Sequence, residues 1–183
     1  MLTKGLTIFV AGAYGTGKST LCEKLSTQIG IPSFSAGDLI SEVNNEQYGA
    51  NKAVSDKNQN QILLIEKVQM LNKEHGKIIL AGHFCIFDSK NDVEHLPEFV
   101  FFNLNLAQIV LLEVDLLDIK AHLRVRDGRE YSNDSLSRLI EAERKQSEVV
   151  ARKLQCPLSV YKMTFSEIDS NNVSKLIIGR ENS

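Results

Sequence analysis

The chain has 183 residues, of which 43% are hydrophobic and 24% are charged. This length and hydrophobic content are enough to bury one good core, so we expect a single domain over residues 1–183. The formal net charge is only −2, from 21 basic and 23 acidic residues, which excludes the overall basic field of a typical nucleic-acid-binding protein. We therefore expect no nucleic-acid partner.

Three features favour a cytoplasmic protein. The chain has three cysteines, an odd number without metal-ligand spacing, which is typical of reduced thiols rather than of a disulfide framework. The first residues run directly into an apolar segment and leave no room for a signal peptide. The longest apolar stretch, residues 99–117, is interrupted by polar side chains, so we expect no membrane span. The oligomeric state stays open.

A glycine-rich motif follows the first predicted strand. Residues 6–11 form an apolar run typical of a short buried strand, and residues 19–25 begin a helical pattern. Between them, residues 12–19 read Gly-Ala-Tyr-Gly-Thr-Gly-Lys-Ser and fit G-x-x-x-x-G-K-[ST], the phosphate-binding P-loop. The glycines let backbone N–H groups approach a triphosphate, Lys18 would reach the β- and γ-phosphates, and Ser19 would ligate Mg²⁺. The motif predicts that the chain binds a nucleoside triphosphate.

The remaining elements alternate between strand and helix patterns. Predicted strands cover residues 31–35, 77–82, 109–114 and 157–161. Predicted helices cover residues 37–45, 61–74, 116–123, 133–153 and 173–178, with Asp115 and either Asn133 or Asp134 as caps. Residues 47–60 are polar and weakly patterned, which favours a mobile segment, and an apolar segment at 99–106 follows a proline loop. Strands separated by helices predict a three-layer α/β fold, in which a parallel sheet of about five strands has helices on both faces.

The segment after the second predicted strand carries a candidate acceptor site. Residues 35–40 read Ser-Ala-Gly-Asp-Leu-Ile and lie near the crevice where parallel sheets bind ligands. Gly37 allows close backbone approach, and Asp38 could hold a Mg²⁺-bound water. An ordinary helix cap by Ser35 or Asp38 is the alternative.

A second segment carries clustered arginines. Residues 124–129 read Arg-Val-Arg-Asp-Gly-Arg and place three arginines around a glycine break between two predicted helices. The planar guanidinium suits phosphate oxygens and the charge that develops in phosphoryl transfer. We expect Arg124 and Arg129, with Arg126 as a third candidate, to neutralise charge on the moving group. Surface ion pairing is the alternative.

Several classes of P-loop protein share the first motif. A GTPase needs an Asn-Lys-x-Asp element, and neither Asn-Lys pair, at residues 51 and 72, has the final aspartate. A transporter ATPase needs a longer chain with a second glycine-rich signature. A ring-forming ATPase normally ends a strand with adjacent acids, which Glu113-Val114-Asp115 only approaches. A small-molecule kinase needs a P-loop, an acceptor pocket and mobile cations, and the chain has candidates for all three.

In this order, the elements resemble adenylate kinases and related nucleoside monophosphate kinases, those of the archaeal type in particular. The resemblance rests on the P-loop, on residues 35–38, on the strand ending Ala81-Gly82-His83, and on the arginine segment. It implies an acceptor-binding segment over about 35–74 and an arginine-bearing lid over about 124–134 that closes over the phosphates and excludes water.

The resemblance also implies a set of site residues. It implies acceptor contacts from Ser35, Gly37, Asp38 and His83. The expected metal contacts are Ser19, from the P-loop motif, and Asp38, from its carboxylate. It implies ATP bound by the loop residues Gly12, Ala13, Tyr14, Gly15, Thr16, Gly17, Lys18, Ser19 and Thr20.

The chain departs from that family at two places. Many adenylate kinases carry an arginine shortly after the Gly-Asp pair, where this chain has Leu39-Ile40-Ser41-Glu42. The third strand often has an aspartate where this chain has Ala81. The missing cation and carboxylate leave a nucleoside, or another small hydroxyl or phosphate compound, open as the acceptor. Alternatively, Lys52 or His83 has taken over the missing role.

The sequence therefore predicts an ATP- and Mg²⁺-dependent phosphotransferase with a small-molecule acceptor, a nucleoside monophosphate being the first choice. Lys18, Arg124 and Arg129 are its expected catalytic residues. Two other functions stay open. An ATPase that acts as a conformational switch or assembly factor would release ADP without an acceptor, and a nucleotide-binding regulatory module would bind ATP without turnover.

Overall fold

The computed structural model describes residues 6–48, 57–128 and 130–181, in which strands and helices alternate. The strands are β1 (Thr7–Ala11), β2 (Ser33–Ser35), β3 (Ile78–Gly82), β4 (Cys85–Phe87), β5 (Val93–His95), β6 (Leu106–Glu113) and β7 (Leu158–Lys162). The helices are α1 (Lys18–Ile29), α2 (Ala36–Tyr48), α3 (Lys57–His75), α4 (Glu98–Asn103), α5 (Leu116–Asp127), α6 (Asn133–Leu154) and α7 (Ile168–Glu181).

Five strands form one parallel sheet in the order β2-β3-β1-β6-β7, and β4 and β5 pair antiparallel in a separate two-stranded sheet. The register places Ala11, the last residue of β1, beside Gly82 of β3 on one side and Leu111 of β6 on the other. The P-loop therefore leaves the sheet at its centre, with two strands on each side. This confirms the predicted α/β fold with a five-stranded parallel sheet.

The core lies on both faces of this sheet. Side chains alternate between the faces because successive residues of a strand point in opposite directions. Ile8 and Val10 of β1 pack with α1 and α7 on one face, and Phe9 and Ala11 pack with α2 to α6 on the other. All five residues of β1 are buried, as expected for a strand covered on both faces.

Several boundaries differ from the sequence prediction. The second strand begins at Ser33 rather than at residue 31, and the last helix begins at Ile168 rather than at residue 173. The first turn of α3 lies within the segment predicted as mobile, because its polar residues hide the helical pattern, whereas residues 49–56 lie outside the described residues. The cap of α6 is Ser132, whose Oγ accepts a hydrogen bond from the Ser135 N–H at 3.0 Å, and not Asn133 or Asp134.

The sequence prediction missed the β4–β5 hairpin and treated the following residues 99–106 as one segment. Each hairpin strand has three residues, too few for an alternating pattern to be recognised. The apolar segment predicted at 99–106 is divided between α4, which ends at Asn103, and the start of β6 at Leu106. Both corrections lie beside the cavity described below.

Two observations concern the state of the cysteines and the possibility of a membrane span. All three cysteines are buried free thiols. In the part of the chain that the structure describes, no helix has both the length and the hydrophobicity of a membrane span.

Substitution of Gly82, the last residue of β3, tests this packing. A Cβ added at Gly82 would come within 2.7 Å of the Phe9 ring, which is buried and packed edge-on against Phe84 and Phe101. We expect Gly82→Ala to lower the free energy of unfolding by about 1–3 kcal/mol, measured by urea denaturation. Gly179→Ala in α7 is the control, because an added Cβ there meets nothing within 4 Å. A Gly82→Ala variant as stable as the parent would contradict this account of the packing.

Candidate functional site

A cavity of about 890 Å³ lies at the carboxyl ends of the parallel strands. The P-loop forms its centre, and the starts of α2 and α3, the segment after β3, and the connection between β7 and α7 form its walls. Small-molecule pockets usually have volumes of about 300–1,000 Å³, so this cavity has room for more than one small ligand.

The backbone of the P-loop has the conformation that its glycines permit. Gly15 and Gly17 have φ angles of 76° and 80°, in the left-handed region that favours glycine. Gly17 precedes α1 and provides no side-chain cap, so the first N–H groups of α1 lack a capping acceptor. The Thr16 hydroxyl donates to the Ala13 carbonyl at 2.9 Å and closes the loop on itself. Such a helix start suits an anionic ligand.

The ammonium group of Lys18 is buried within this loop. Its Nζ donates to the carbonyl oxygens of Gly12 and Ala13, each at 2.8 Å, and to Thr16 Oγ1 at 3.4 Å. Burial lowers the pKa of Lys18 from 10.5 to about 8, and the charge of Glu143 acts in the opposite direction. All three acceptors are neutral oxygens. A polyphosphate at the loop would supply the anionic partner that this cation lacks among its hydrogen bonds.

Glu143 of α6 connects the P-loop to the turn after β3. Its carboxylate is 1% exposed and accepts hydrogen bonds from the N–H groups of Gly12 at 3.2 Å, Phe84 at 2.9 Å and Cys85 at 2.7 Å. Burial raises the pKa of Glu143 from 4.5 to about 7, opposed by the hydrogen bonds from Phe84 and Cys85 and by the charge of Lys18. One side chain therefore determines how two loops lie relative to each other.

Glu143 is a site residue that sequence reasoning missed. Arg138 and Arg144, on the same helix, form ion pairs at the surface. The signal that marks Glu143 is its position on the buried stripe of α6. The buried residues of that stripe recur three or four apart and are Leu136, Leu139, Glu143, Ser147 and Val150. An acidic residue in such a stripe needs buried hydrogen-bond donors.

His83 lies beside the P-loop, since it follows Gly82 at the end of β3. Its ring centroid is 4.6 Å from that of Tyr14, and both residues line the cavity. Burial, and then the charge of Lys18, lower the pKa of His83 well below its usual range. Its Nδ1 atom is buried and has no hydrogen-bond partner among the described residues. The structure therefore holds a neutral imidazole beside the P-loop.

Of the other three predicted acceptor residues, two line the cavity and one does not. Ser35 and Gly37 line the cavity, whereas Asp38 is exposed in the first turn of α2 and is not among the lining residues. The Ser35 hydroxyl accepts a hydrogen bond from the Asp38 N–H at 3.4 Å, which is the helix-cap arrangement weighed as the alternative.

The three arginines of residues 124–129 also differ in their relation to the cavity. Arg124 and Arg126 are both exposed in the last turn of α5, and Arg126 lines the cavity whereas Arg124 does not. Arg129 lies outside the described residues. Since α5 ends at Asp127 and α6 begins at Asn133, the predicted lid over 124–134 includes one helix end, residues 128–132 and one helix start.

A second group missed by sequence reasoning lies after β7. Phe165 has a φ of 58°, is 43% exposed, and lies against Gly17, where an added Cβ would be 3.2 Å from its ring. Its ring meets that of His122 edge-on at 4.4 Å, and His122 Nδ1 is 2.9 Å from the Gly15 carbonyl oxygen. No pattern in residues 163–166 signals this contact, which depends on the fold.

Few of the described side chains that line the cavity are suitable ligands for Mg²⁺. Ser19 is exposed in the first turn of α1 and lines the cavity, whereas the carboxylate of Asp169, also in the wall, already accepts hydrogen bonds from Tyr161 and Thr164. Within residues 6–48, 57–128 and 130–181, no group of three or more His, Cys, Asp or Glu residues could hold a metal ion. The arrangement fits Mg²⁺ held by Ser19, phosphate oxygens and water, as is usual for this ion.

Glu143→Gln tests the buried carboxylate. Because the pKa of Glu143 is about 7 in the folded chain and 4.5 ordinarily, folding takes up a proton between these pH values. Its contribution to stability is therefore full below pH 4.5 and is lost as the pH rises to 7. We expect the parent protein to lose at least about 1 kcal/mol of unfolding free energy over this interval relative to Glu143→Gln, measured by urea denaturation.

The matched control for this prediction is Glu141→Gln. Glu141 lies two positions earlier on the same helix, is exposed, and pairs with Lys145 at 2.6 Å. This variant should keep the loss of stability between pH 4.5 and 7 that the parent shows. The same pH dependence in the parent and in Glu143→Gln would show that the carboxylate does not titrate as described.

Comparisons with known proteins agree with the geometry of the fold. A shikimate kinase from Acinetobacter baumannii in complex with shikimate superimposes with a TM-score of 0.62 at 13% identity, over 97% of this chain and 96% of that chain. A tunicamycin resistance protein from Deinococcus radiodurans gives 0.63 at 14% identity, over 97% and 95%. A shikimate kinase from Aquifex aeolicus gives 0.57 at 17% identity, over 97% and 99%. These superpositions show that the chain shares the fold of these proteins.

Comparisons of the sequence, rather than of the fold, identify the family. No curated protein sequence matches the chain. The resemblance to adenylate kinases, and to their archaeal type, stays a prediction. A family model described as an AAA domain matches residues 11–139, from the last residue of β1 into α6, which includes the whole P-loop. Because this match covers well over half of the sequence, the chain belongs to the AAA domain family.

Proposed function

We propose that this protein is an ATP- and Mg²⁺-dependent phosphotransferase that moves the γ-phosphoryl group of ATP to a small acceptor. The observation that carries this proposal is the buried ammonium of Lys18, held by loop carbonyls at the wall of a cavity of about 890 Å³. A cation in this position can bind the β- and γ-phosphates, and the cavity extends to both sides of it.

The donor nucleotide fits the side of the P-loop towards β7. The loop N–H groups and Lys18 would hold the triphosphate, and Ser19 would share the metal with the phosphate oxygens. Phe165 and His122 line the same side, and an exposed aromatic ring against the loop suits stacking by a nucleobase. Mg²⁺, when bound, supplies positive charge that offsets the charge of the phosphates.

Catalysis by this arrangement would rest on positioning and electrostatics. Phosphoryl transfer needs its reactants aligned and its developing charge neutralised more than it needs a protein base. Arg126, at the end of α5, lines the same cavity as the P-loop lysine. Arg124 and Arg129 stay candidates for the same role through closure of the lid, which would also exclude water as a competing acceptor.

The acceptor fits the side of the P-loop towards β2 and β3. Ser35, Gly37 and His83 line this side of the cavity. The resemblance to adenylate kinases implies a nucleoside monophosphate as the acceptor, and this assignment stays a prediction. The named shikimate kinase complex shows that the same fold also serves an acceptor that is not a nucleotide.

Lys18→Ala tests the donor site. We expect the variant to fold normally and to lose ATP affinity by roughly 30-fold or more, because a buried cation that contacts phosphate is removed. Isothermal titration with a non-hydrolysable ATP analogue measures the affinity, and thermal unfolding checks the fold. Lys145→Ala is the control, since Lys145 is exposed on α6 and paired with Glu141. Undiminished binding to Lys18→Ala would reject the donor site.

ADP production by the parent protein then distinguishes the possible functions. A phosphotransferase releases ADP in proportion to phosphorylated acceptor. An ATPase that acts as a switch or assembly factor releases ADP without acceptor, and a regulatory module releases none.

Alanine variants at Arg124, Arg126 and Arg129 test the arginine segment. We expect at least one of them, Arg126→Ala first, to lower kcat by roughly 100-fold with little change in ATP affinity, because the cation would act on charge that develops in the transition state. Arg138→Ala is the control, since Arg138 is exposed on α6 and paired with Asp134 at 3.2 Å. Unchanged turnover in all three variants would remove the segment from the mechanism.

A further inference from the structure

Phe165 has a backbone conformation that a bulky residue rarely adopts. It lies in the turn between β7 and α7, and its φ of 58° falls in the left-handed region, where a side chain crowds the backbone and glycine or asparagine is the usual residue. Burial does not offset this cost in full, since Phe165 is 43% exposed. Strained residues of this kind are found mainly at functional sites.

The ring of Phe165 lies at the P-loop and lines the cavity. It packs against Gly17, the residue before Lys18, where an added Cβ would be 3.2 Å from the ring. The ring of His122, whose Nδ1 is at the Gly15 carbonyl, meets it edge-on with the centroids 4.4 Å apart. The exposed part of an aromatic ring in a cavity wall can stack on a planar group of a ligand.

A buried carboxylate holds the turn that carries this ring. Asp169, in the first turn of α7, is 2% exposed. Its Oδ1 accepts hydrogen bonds from the hydroxyl groups of Tyr161 and Thr164, each at 2.8 Å, and the Thr164 N–H donates to the same carboxylate at 3.2 Å. Hydrogen bonds to a charged acceptor are stronger than those between neutral groups. Thr164, the residue before Phe165, is therefore held at both its main chain and its side chain.

Further contacts join the start of α7 to α1, the helix that begins at Lys18. The Lys24 Nζ atom is 2.9 Å from Glu167 Oε1, and Gln28 Nε2 donates to Asn171 Oδ1 at 2.9 Å. The two helices also share a buried apolar cluster with β1. Because α1 follows the P-loop directly, these contacts give the turn a defined position relative to that loop.

Stability alone does not account for an aromatic residue at position 165. The hydrogen bonds of the Asp169 carboxylate come from Tyr161 and Thr164, so they would form equally well with asparagine or glycine after Thr164. Either of those residues would also adopt the left-handed conformation with less strain. The feature that only an aromatic residue supplies is the exposed ring beside the P-loop.

We propose that Asp169 is a positioning residue of the donor site, which holds the turn so that the ring of Phe165 stacks on the base of a nucleoside triphosphate. The proposal rests on the proposed donor site at the P-loop. Two separate groups then bind the two parts of the donor. The P-loop binds the polyphosphate, and the turn held by Asp169 binds the base.

Paired ligands separate the two contributions. Isothermal titration of the full chain, with Mg²⁺ present, compares a non-hydrolysable ATP analogue with inorganic tripolyphosphate, which has no base. We expect Phe165→Asn to lower the affinity for the ATP analogue roughly tenfold, because stacking on the base is lost. The affinity for tripolyphosphate should stay unchanged, because the P-loop is kept.

Asp169→Asn tests whether the carboxylate acts through the ring. The amide keeps the shape of the side chain but loses its charge and one acceptor atom, so the turn is held less firmly. We expect a roughly fivefold loss of affinity for the ATP analogue, unchanged affinity for tripolyphosphate, and no further loss when Asp169→Asn is added to Phe165→Asn. Asp118→Asn is the matched control, because Asp118 lies in the first turn of α5 and is exposed.

Thermal unfolding checks that each variant folds. Tyr161→Phe replaces Asp169→Asn if the latter does not fold, because it removes one hydrogen bond of the same carboxylate and leaves the charge in place. The same selective loss of affinity for the ATP analogue is expected.

The outcomes separate this proposal from the proposed function. Unchanged affinity of Phe165→Asn for the ATP analogue would overturn it, because the ring would then not contact the base. Equal losses for both ligands in the Asp169 variant, or losses that add in the double variant, would also overturn it, because the carboxylate would then act on something other than the ring. These results would leave the donor site at Lys18 intact. Failure of the parent protein to bind either ligand would overturn the proposal and the proposed function together.

Discussion

The hydrogen bonds to the Glu143 carboxylate are the contacts on which the site depends. The sheet register brings the ends of β1 and β3 together, but strands alone do not determine the direction of the loops that follow them. Glu143 accepts hydrogen bonds from the N–H groups of Gly12, at the start of the P-loop, and of Phe84 and Cys85, where the turn after β3 leads into β4. Without this acceptor, three buried donors would lack partners. A single carboxylate thus connects the P-loop to the turn after β3.

The order of strands in the sheet determines which parts of the chain line each side of the cavity. Since β1 is central, a first group of elements, α2, α3, the β4–β5 hairpin and α4, contributes to the cavity wall towards β2 and β3. A second group, the end of α5 and the connection between β7 and α7, contributes to the wall towards β6 and β7. The first group forms an apolar wall with polar amide and imidazole groups, and the second brings an arginine and an exposed aromatic ring. One parallel sheet can therefore hold two ligands of different chemistry on either side of one loop.

The fold and the P-loop could be predicted from the sequence because both rest on local patterns. Buried strands appear as apolar runs, and the glycine spacing of residues 12–17 reflects backbone angles at Gly15 and Gly17. The rest depends on contacts between distant residues. Glu143 lies 131 positions from Gly12, and nothing near either residue marks the pair. The sequence prediction preferred Arg124 to Arg126, whereas Arg126 lines the cavity. Residues two apart on a helix point about 200° apart, and only the fold decides which direction faces the cavity.

The position of Tyr14 has an optical consequence. The chain contains four tyrosines and no tryptophan, so its intrinsic fluorescence comes from phenol groups alone. Tyr14 lies in the cavity wall, with its ring between those of His83 and Phe87 and its hydroxyl oxygen accepting a hydrogen bond from the Phe87 N–H at 3.3 Å. The protein therefore carries an emissive side chain in the wall of the cavity, and we expect a ligand that contacts Tyr14 to change this emission without any added label.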